Sequence, residues 1–153
     1  MIYIDTSCLV ELFRPEPLSG AVAEAVAAET AVIVSVLAEL ETLVQLKAAC
    51  KAGDFTRPQW RRLEAQFTAL RNQSPYEFRT LPGTLFQTAL RQHRNSGDIH
   101  CRTLDRLHLA AMEELGLDRL MTHDRQQAEA AIAAGLEVVQ PGHQRAQGAV
   151  PEF

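Results

Sequence analysis

The sequence predicts an α/β fold with a mostly parallel sheet, and three observations carry that prediction. Short β-prone runs at 2–4, 31–34, 76–81, 119–122 and 136–139 alternate with longer segments of helical period. The first two runs are apolar throughout, as strands buried on both faces require. Helix start and stop signals punctuate the intervals between runs.

Taken in order, Ile2, Tyr3 and Ile4 form a buried strand ending at Asp5. Thr6 and Ser7 offer N-caps for a helix through Cys8, Leu9, Val10 and Leu12, which Pro15 and Pro17 break. Residues 18–29 are alanine-rich, with Val22, Ala25 and Val26 on one helical face. Residues 31–34 form a second buried strand, rich in β-branched side chains. Ser35 caps a helix over Val36–Ala52 whose apolar stripe reads as Leu40, Leu43, Val44 and Ala48, with Gly53 as its stop. Thr56 and Pro58 open another helix, on which Trp60 and Phe67 share a face suited to core or interface. A strand follows at 76–81, then a turn at Pro82 and Gly83 and a helix through Leu85, Ala89 and Leu90. Residues 95–98 read as a loop. The next helix, 103–115, carries Leu104, Leu107, His108 and Ala111 on one face. A strand at 119–122, a helix from Asp124 to Gly135 and a strand at 136–139 complete the series. Pro141 and Gly142 close a single domain, 1–142, and 143–153 read as a polar, mobile tail.

A chain of 153 residues, 46% apolar, can bury a core without metal or disulfide staples. Its 22% charged content is too low and too mixed for a disordered chain. A net charge of −4 argues against a general nucleic-acid coat protein. The charge is uneven, however. Residues 57–106 hold nine of the fifteen Lys and Arg against four acids, and both flanks are net acidic. That middle could meet an anion or supply solvated helix faces. The three cysteines, Cys8, Cys50 and Cys101, fit no zinc spacing or disulfide framework. They read as small buried thiols in a reducing, cytoplasmic setting. Residues 1–5 lack the basic start of a signal peptide, and no apolar run approaches the ~20 residues that span a bilayer, so no membrane role is expected. No Gly-rich loop follows a strand, which excludes dinucleotide-binding and P-loop readings.

Ligands of open α/β sheets bind at the carboxyl ends of strands, so acids there carry information. Asp5 ends the first strand, and Asp124 follows the fourth. Glu39 and Glu41 lie in the first turns after Ser35, and Asp105 lies in the first turn of its helix. Singly, each has a structural reading: Asp124 as an N-cap, Asp5 as an Asx turn, Asp105 as a dipole partner, the glutamates as solvated residues. Together they form an acidic edge whose mutual repulsion a cation would offset. Hard oxygen ligands without His or Cys suit Mg²⁺ or Mn²⁺, which can bind a phosphodiester and activate water.

These residues resemble those of PIN-domain ribonucleases, and specifically VapC-type toxins of type II toxin–antitoxin systems. The resemblance runs from Ile2 to about Val139. It rests on the segments 2–7, 35–41, 102–111 and 122–126 in this order, followed by 135–139. It implies a three-layer α/β/α sandwich with about five strands. By the same resemblance Asp5, Glu41, Asp105 and Asp124 form the acidic metal cage of a Mg²⁺-dependent endoribonuclease, with Mn²⁺ as a substitute. The family glutamate lies six residues after the serine, which selects Glu41 and leaves Glu39 as the fallback. The two point about 200° apart on a helix. Ser7 and Thr122 would orient the carboxylates beside them. Arg102 would either contact RNA phosphate or hold the cage by charge pairing. His108 reads as a packed side chain hydrogen-bonded within its helix, and His123 and Gln126 match the pattern without a role.

The resemblance further implies products with 5′-phosphate and 3′-hydroxyl ends, an RNA substrate, a homodimer and a VapB-type antitoxin. A non-catalytic RNA- or protein-binding module of the same fold is the alternative. A receiver-like phosphotransfer domain needs a lysine near the last strand, yet Lys47 and Lys51 share one helix. A haloacid-dehalogenase-type phosphatase needs a second Asp where Ser7 stands.

Overall fold

Strand alternation decides the layering of this protein. The computed structural model describes residues 1–14 and 16–143, so Pro15 and the tail beyond His143 lie outside the described residues. The chain runs β1 (Ile2–Ile4), α1 (Thr6–Glu11), α2 (Ser19–Ala27), β2 (Val32–Ser35), α3 (Val36–Ala52) and α4 (Arg57–Ala69). A single 3₁₀ turn leads to β3 (Tyr76–Arg79), then α5 (Leu85–Asn95), α6 (Thr103–Glu114), β4 (Arg119–Met121), α7 (Arg125–Ala133) and β5 (Glu137–Val139). The five strands form one all-parallel sheet in the order β3-β2-β1-β4-β5. Because β1 is central, the chain first winds toward β3 and then returns past β1 to β4. That reversal opens a crevice at the carboxyl ends of β1 and β4.

Successive side chains of a strand point to opposite faces. Ile2, Ile4, Val32, Val34 and Met121 therefore pack with Cys8, Leu9, Val22, Val26, Ala38 and Phe67 in one layer. Tyr3, Ile33 and Leu120 face the other way, into Leu85, Leu107, Leu109, Ala110, Ala111 and Met112. The sheet is thus covered on both sides, as an all-parallel sheet must be. The exchange of Tyr3 for its aliphatic neighbours places a phenol in the layer that holds α6.

Several local readings are corrected. The stripe Leu40, Leu43, Val44 and Ala48 is not the buried face of α3. Ala38, Thr42, Leu46 and Ala49 are buried instead, while Leu40 and Val44 stand 60% and 57% exposed. Both sets have helical spacing, so periodicity alone could not choose between them. Helix α3 packs against α1, β2 and α4 with the face that carries Ala38, Thr42, Leu46 and Ala49. In α6 Leu104 is exposed, whereas every residue from Asp105 to Met112 is buried. The helix is wrapped by α5, α7 and the sheet rather than packed along one stripe. The third strand stops at Arg79, before Leu81. Cys8 is buried, but Cys50 and Cys101 are only half-buried, and all three are free thiols. Phe67 is buried and Trp60 half-buried. Among the described residues no helix is long and apolar enough to cross a membrane.

Candidate active site

Four chain segments converge on the crevice at the β1/β4 edge. The loop after β1 brings Asp5, the start of α3 brings Glu41, the start of α6 brings Asp105, and the turn after β4 brings Asp124. All four carboxylates line one cavity of about 450 Å³, together with Thr6, Ser7, Gln45, Arg102 and His108. A larger cavity of about 640 Å³ lies between α5, α6 and α7. Its only acids are Glu113, already tied to Arg91 and Gln92, and Asp118, so the acidic crevice is the chemical candidate.

Asp5 is the most firmly held of the four. It, and not Thr6 or Ser7, is the N-cap of α1, with its carboxylate accepting from the Ser7 amide. The same Oδ2 accepts from Ser7 Oγ at 2.7 Å and from Thr122 Oγ1 at 3.0 Å. A hydroxyl has one proton, so Thr122 cannot also donate to Gln127. Turning the Gln127 amide resolves this: its NH₂ then donates to Thr122 Oγ1 at 2.8 Å and to Asp5 Oδ2 at 3.0 Å. Donors crowd on Oδ2, while Oδ1 meets only the turned Gln127 amide, at 3.3 Å, and lies 3.6 Å from His108 Nε2.

Glu41 is held from two sides. Its Oε2 accepts from Thr6 Oγ1 at 2.9 Å and lies 2.5 Å from His108 Nε2. Burial pushes this carboxyl up, but the hydrogen bonds from His108 and the Thr6 hydroxyl hold it on balance below the usual carboxylate range. Glu39 is elsewhere on α3, where both its oxygens accept from Arg71 Nη2 at 2.6 Å. The two glutamates thus separate as helical geometry requires, one to the crevice and one to a surface ion pair.

Arg102 links the other two acids. Its Nε donates to Asp105 Oδ2 at 2.7 Å, and its Nη2 pairs with Asp124 Oδ2. Of the two roles open to Arg102, the structure displays charge pairing. Asp124 is also the N-cap of α7, accepting from the Gln127 amide at 3.0 Å. Burial raises its carboxyl, yet the α7 amides and Arg102 hold it below its usual value. That contribution to stability is present at neutral pH and is lost as pH falls from the unfolded value of about 3.9 through the lower folded one. Asp124→Ala is expected to cost about 1 kcal/mol through loss of the cap, and Asp124→Asn much less. Urea unfolding of both variants at neutral pH checks this.

His108 does not bond within its helix, contrary to the expectation from sequence. Its ring is 1% exposed and bridges Tyr3 to Glu41. His123 ties Glu11 to the Pro141 carbonyl, at 2.7 and 2.8 Å, and so braces the turn that carries Asp124. Gln126 is exposed. Tyr3, Thr6 and Gln127 were missed as parts of the site. Only Tyr3 left a signal: a phenol within a fully buried strand needs a partner for its hydroxyl.

The donor set is suited to a hard divalent cation: oxygen only, with no lysine in the cavity lining. Glu41 and Asp105 each have one oxygen engaged by protein donors and a second without a close hydrogen-bond partner among the described residues, and the second oxygen of Asp5 meets only the turned Gln127 amide at 3.3 Å. No three acidic, histidine or cysteine side chains among the described residues are drawn into a closed coordination cluster. Arg102 instead pairs with Asp105 and Asp124, and His108 hydrogen-bonds to Glu41.

Comparison with known proteins places this chain in a family. The PIN domain profile matches residues 2–133. The chain belongs to the PIN-domain family. Ribonuclease VapC46 of Mycobacterium tuberculosis is 32% identical over 142 residues, covering 92% of this chain and 97% of that protein. This PIN domain is therefore of the VapC type. Its fold is similar to that of VapC20 of M. tuberculosis, described as a sarcin-ricin loop cleaving toxin, with a TM-score of 0.70 at 20% identity over 92% of this chain and 100% of that one. VapBC2 from Rickettsia felis, solved bound to a DNA fragment from its promoter, gives a TM-score of 0.63 at 13% identity, covering 91% and 98%.

Proposed function

We propose that this PIN domain is a Mg²⁺-dependent endoribonuclease acting as a VapC-type toxin. The observation that carries the reading is the meeting of Asp5, Glu41, Asp105 and Asp124, from four separate segments, in one cavity lined by no lysine. Its ribonuclease relatives support the same activity. Asp5, Glu41 and Asp105 would hold the cation, with Asp124 at the rim, and Mn²⁺ would substitute for Mg²⁺. When bound, the cation supplies Lewis acidity for a phosphodiester and makes water a stronger nucleophile.

The residues of the chain do the positioning. Ser7, Thr122 and Gln127 pin one edge of Asp5, so its other oxygen keeps a fixed direction. His108 and Thr6 do the same for Glu41. Arg102 keeps Asp105 ionised and aligned through a charge-assisted hydrogen bond. The arginines of the 57–106 segment are exposed, except Arg106; Arg102 lines the crevice, and those on α4 have no ion-pair partner among the described residues. They suit an RNA backbone and would make binding weaken with salt.

A VapB-type antitoxin and a second copy of the chain are the proposed protein partners. The structurally similar VapBC complex supports the first. Val36, Leu40 and Val44 form an exposed apolar row on α3, and Phe86 and Leu90 another on α5, which support protein contacts of either kind. Light scattering on the purified chain decides the dimer, and a monomer at micromolar concentration rejects it.

The activity is tested with structured RNAs and purified protein. Cleavage is expected with Mg²⁺ or Mn²⁺, with 5′-phosphate products, and none after chelation with EDTA. Retention of RNA binding without cleavage under either metal favours the non-catalytic module instead.

A further inference from the structure

A buried polar line lies behind Glu41. Ser35 Oγ, at the end of β2, lies 2.6 Å from Tyr3 Oη. Tyr3 Oη lies 2.7 Å from His108 Nδ1, and His108 Nε2 lies 2.5 Å from Glu41 Oε2. Ser35, Tyr3 and His108 are all at most 1% exposed. The Tyr3 and His108 rings meet edge to face, with centroids 5.7 Å apart, which limits ring reorientation.

Proton counting gives this line a direction. Ser35 Oγ already accepts from the Ala38 amide as the N-cap of α3, so its own proton is free to donate. The ionised Glu41 carboxylate only accepts, so His108 Nε2 must carry hydrogen. Every group is satisfied when Ser35 donates to Tyr3, Tyr3 donates to Nδ1, and Nε2–H donates to Glu41. In the reverse direction Ser35 would accept from both Ala38 and Tyr3, and its proton would have no close acceptor among the described residues. Buried polar groups left unpaired are costly, so the first arrangement is favoured.

We propose that Tyr3 and Ser35 fix the Nε2–H tautomer of His108, and that His108 is thereby a positioning residue that aims Glu41 into the crevice. The assignment rests on the metal-site reading above for its functional consequence, but not for its hydrogen-bond geometry. His108 touches neither the reacting phosphate nor the cation in this scheme. It acts through Glu41, and through Asp5 Oδ1 at 3.6 Å. Partners behind metal ligands typically contribute about 10- to 100-fold in metal affinity or activity.

Two measurements test this. The first is the ¹⁵N spectrum of the histidine side chains in metal-free protein, with His108 assigned by its loss in His108→Gln. The expected result is a neutral ring with hydrogen on Nε2. An Nδ1–H tautomer or a doubly protonated ring overturns the proposal. The second is Mn²⁺ affinity by calorimetry, measured well below each variant's unfolding midpoint. Tyr3→Phe is expected to weaken Mn²⁺ binding about 10-fold while the protein stays folded, and His108→Leu about 100-fold. His108→Gln should recover much of the loss, because its amide can still donate to Glu41. Parent-like affinity in folded Tyr3→Phe and His108→Leu overturns the positioning role. If the parent itself binds no Mn²⁺, the metal reading fails, and the hydrogen-bond chain then stands or falls on the tautomer.

Discussion

Asp5→Asn is expected to abolish metal-dependent RNA cleavage, by about 100-fold or more, while leaving the fold in place. Loss of a residue that merely supports a metal ligand costs up to about 100-fold, so loss of a ligand should cost at least that. The amide oxygen of Asn can accept the hydrogen bonds that Ser7 and Thr122 make to Oδ2. Asn is also as good an N-cap as Asp, so α1 keeps its start. Removal of one negative charge lowers the repulsion within the acidic crevice. Stability should therefore stay within about 1 kcal/mol of the parent. Circular dichroism and urea unfolding establish the fold, and an RNA cleavage assay with Mg²⁺ gives the activity. If Asp5→Asn cuts RNA as the parent does, Asp5 is not a metal ligand.

The paired substitutions Glu41→Gln and Glu39→Gln should separate cleanly. Glu41→Gln is expected to lower cleavage about 10- to 100-fold, because a neutral amide gives the cation a weaker donor. Its oxygen still accepts from His108 and Thr6, so packing around α3 survives. Glu39→Gln should leave cleavage unchanged, since Glu39 faces Arg71 on the surface. The loss of that exposed ion pair should cost at most about 1 kcal/mol. Cleavage rates for both variants under the same Mg²⁺ concentration decide the matter. The reverse pattern would transfer the ligand role to Glu39.

Two of the acids were legible because they follow strands closely. A carboxylate one residue past β1, or three past β4, must emerge at the carboxyl edge of a parallel sheet wherever that sheet lies. The choice between Glu39 and Glu41 was legible as an angle on a helix and a spacing from Ser35. Their actual partners, Arg71 for one and His108 for the other, were not. Both partners are remote in sequence, and either glutamate could have faced the crevice had α3 been rolled. The misread stripe on α3 has the same origin. Two apolar sets with equal spacing compete, and only the neighbours of the helix decide which is buried.

His108 was legible as a residue and misread as a contact. Helical spacing suggests local partners, but a buried imidazole bonds to whatever polar atom the opposite layer presents. That layer presents Tyr3, which reaches α6 because alternation turns it away from Ile2 and Ile4.

By itself, the sequence determined the α/β class, the element order, and the placing of Asp5 and Asp124 after strands and of Glu41 and Asp105 in early helix turns. These depend on local periodicity, caps and turn residues, which act over a few positions. Only the tertiary structure decided that Arg102 bridges Asp105 and Asp124, that Ser7, Thr122 and Gln127 converge on Asp5, and that a line from Ser35 through Tyr3 and His108 ends on Glu41. Such contacts join residues up to 117 positions apart. Their partners are chosen by how the layers stack and by the cost of leaving a buried polar atom unpaired, neither of which is written in any local pattern.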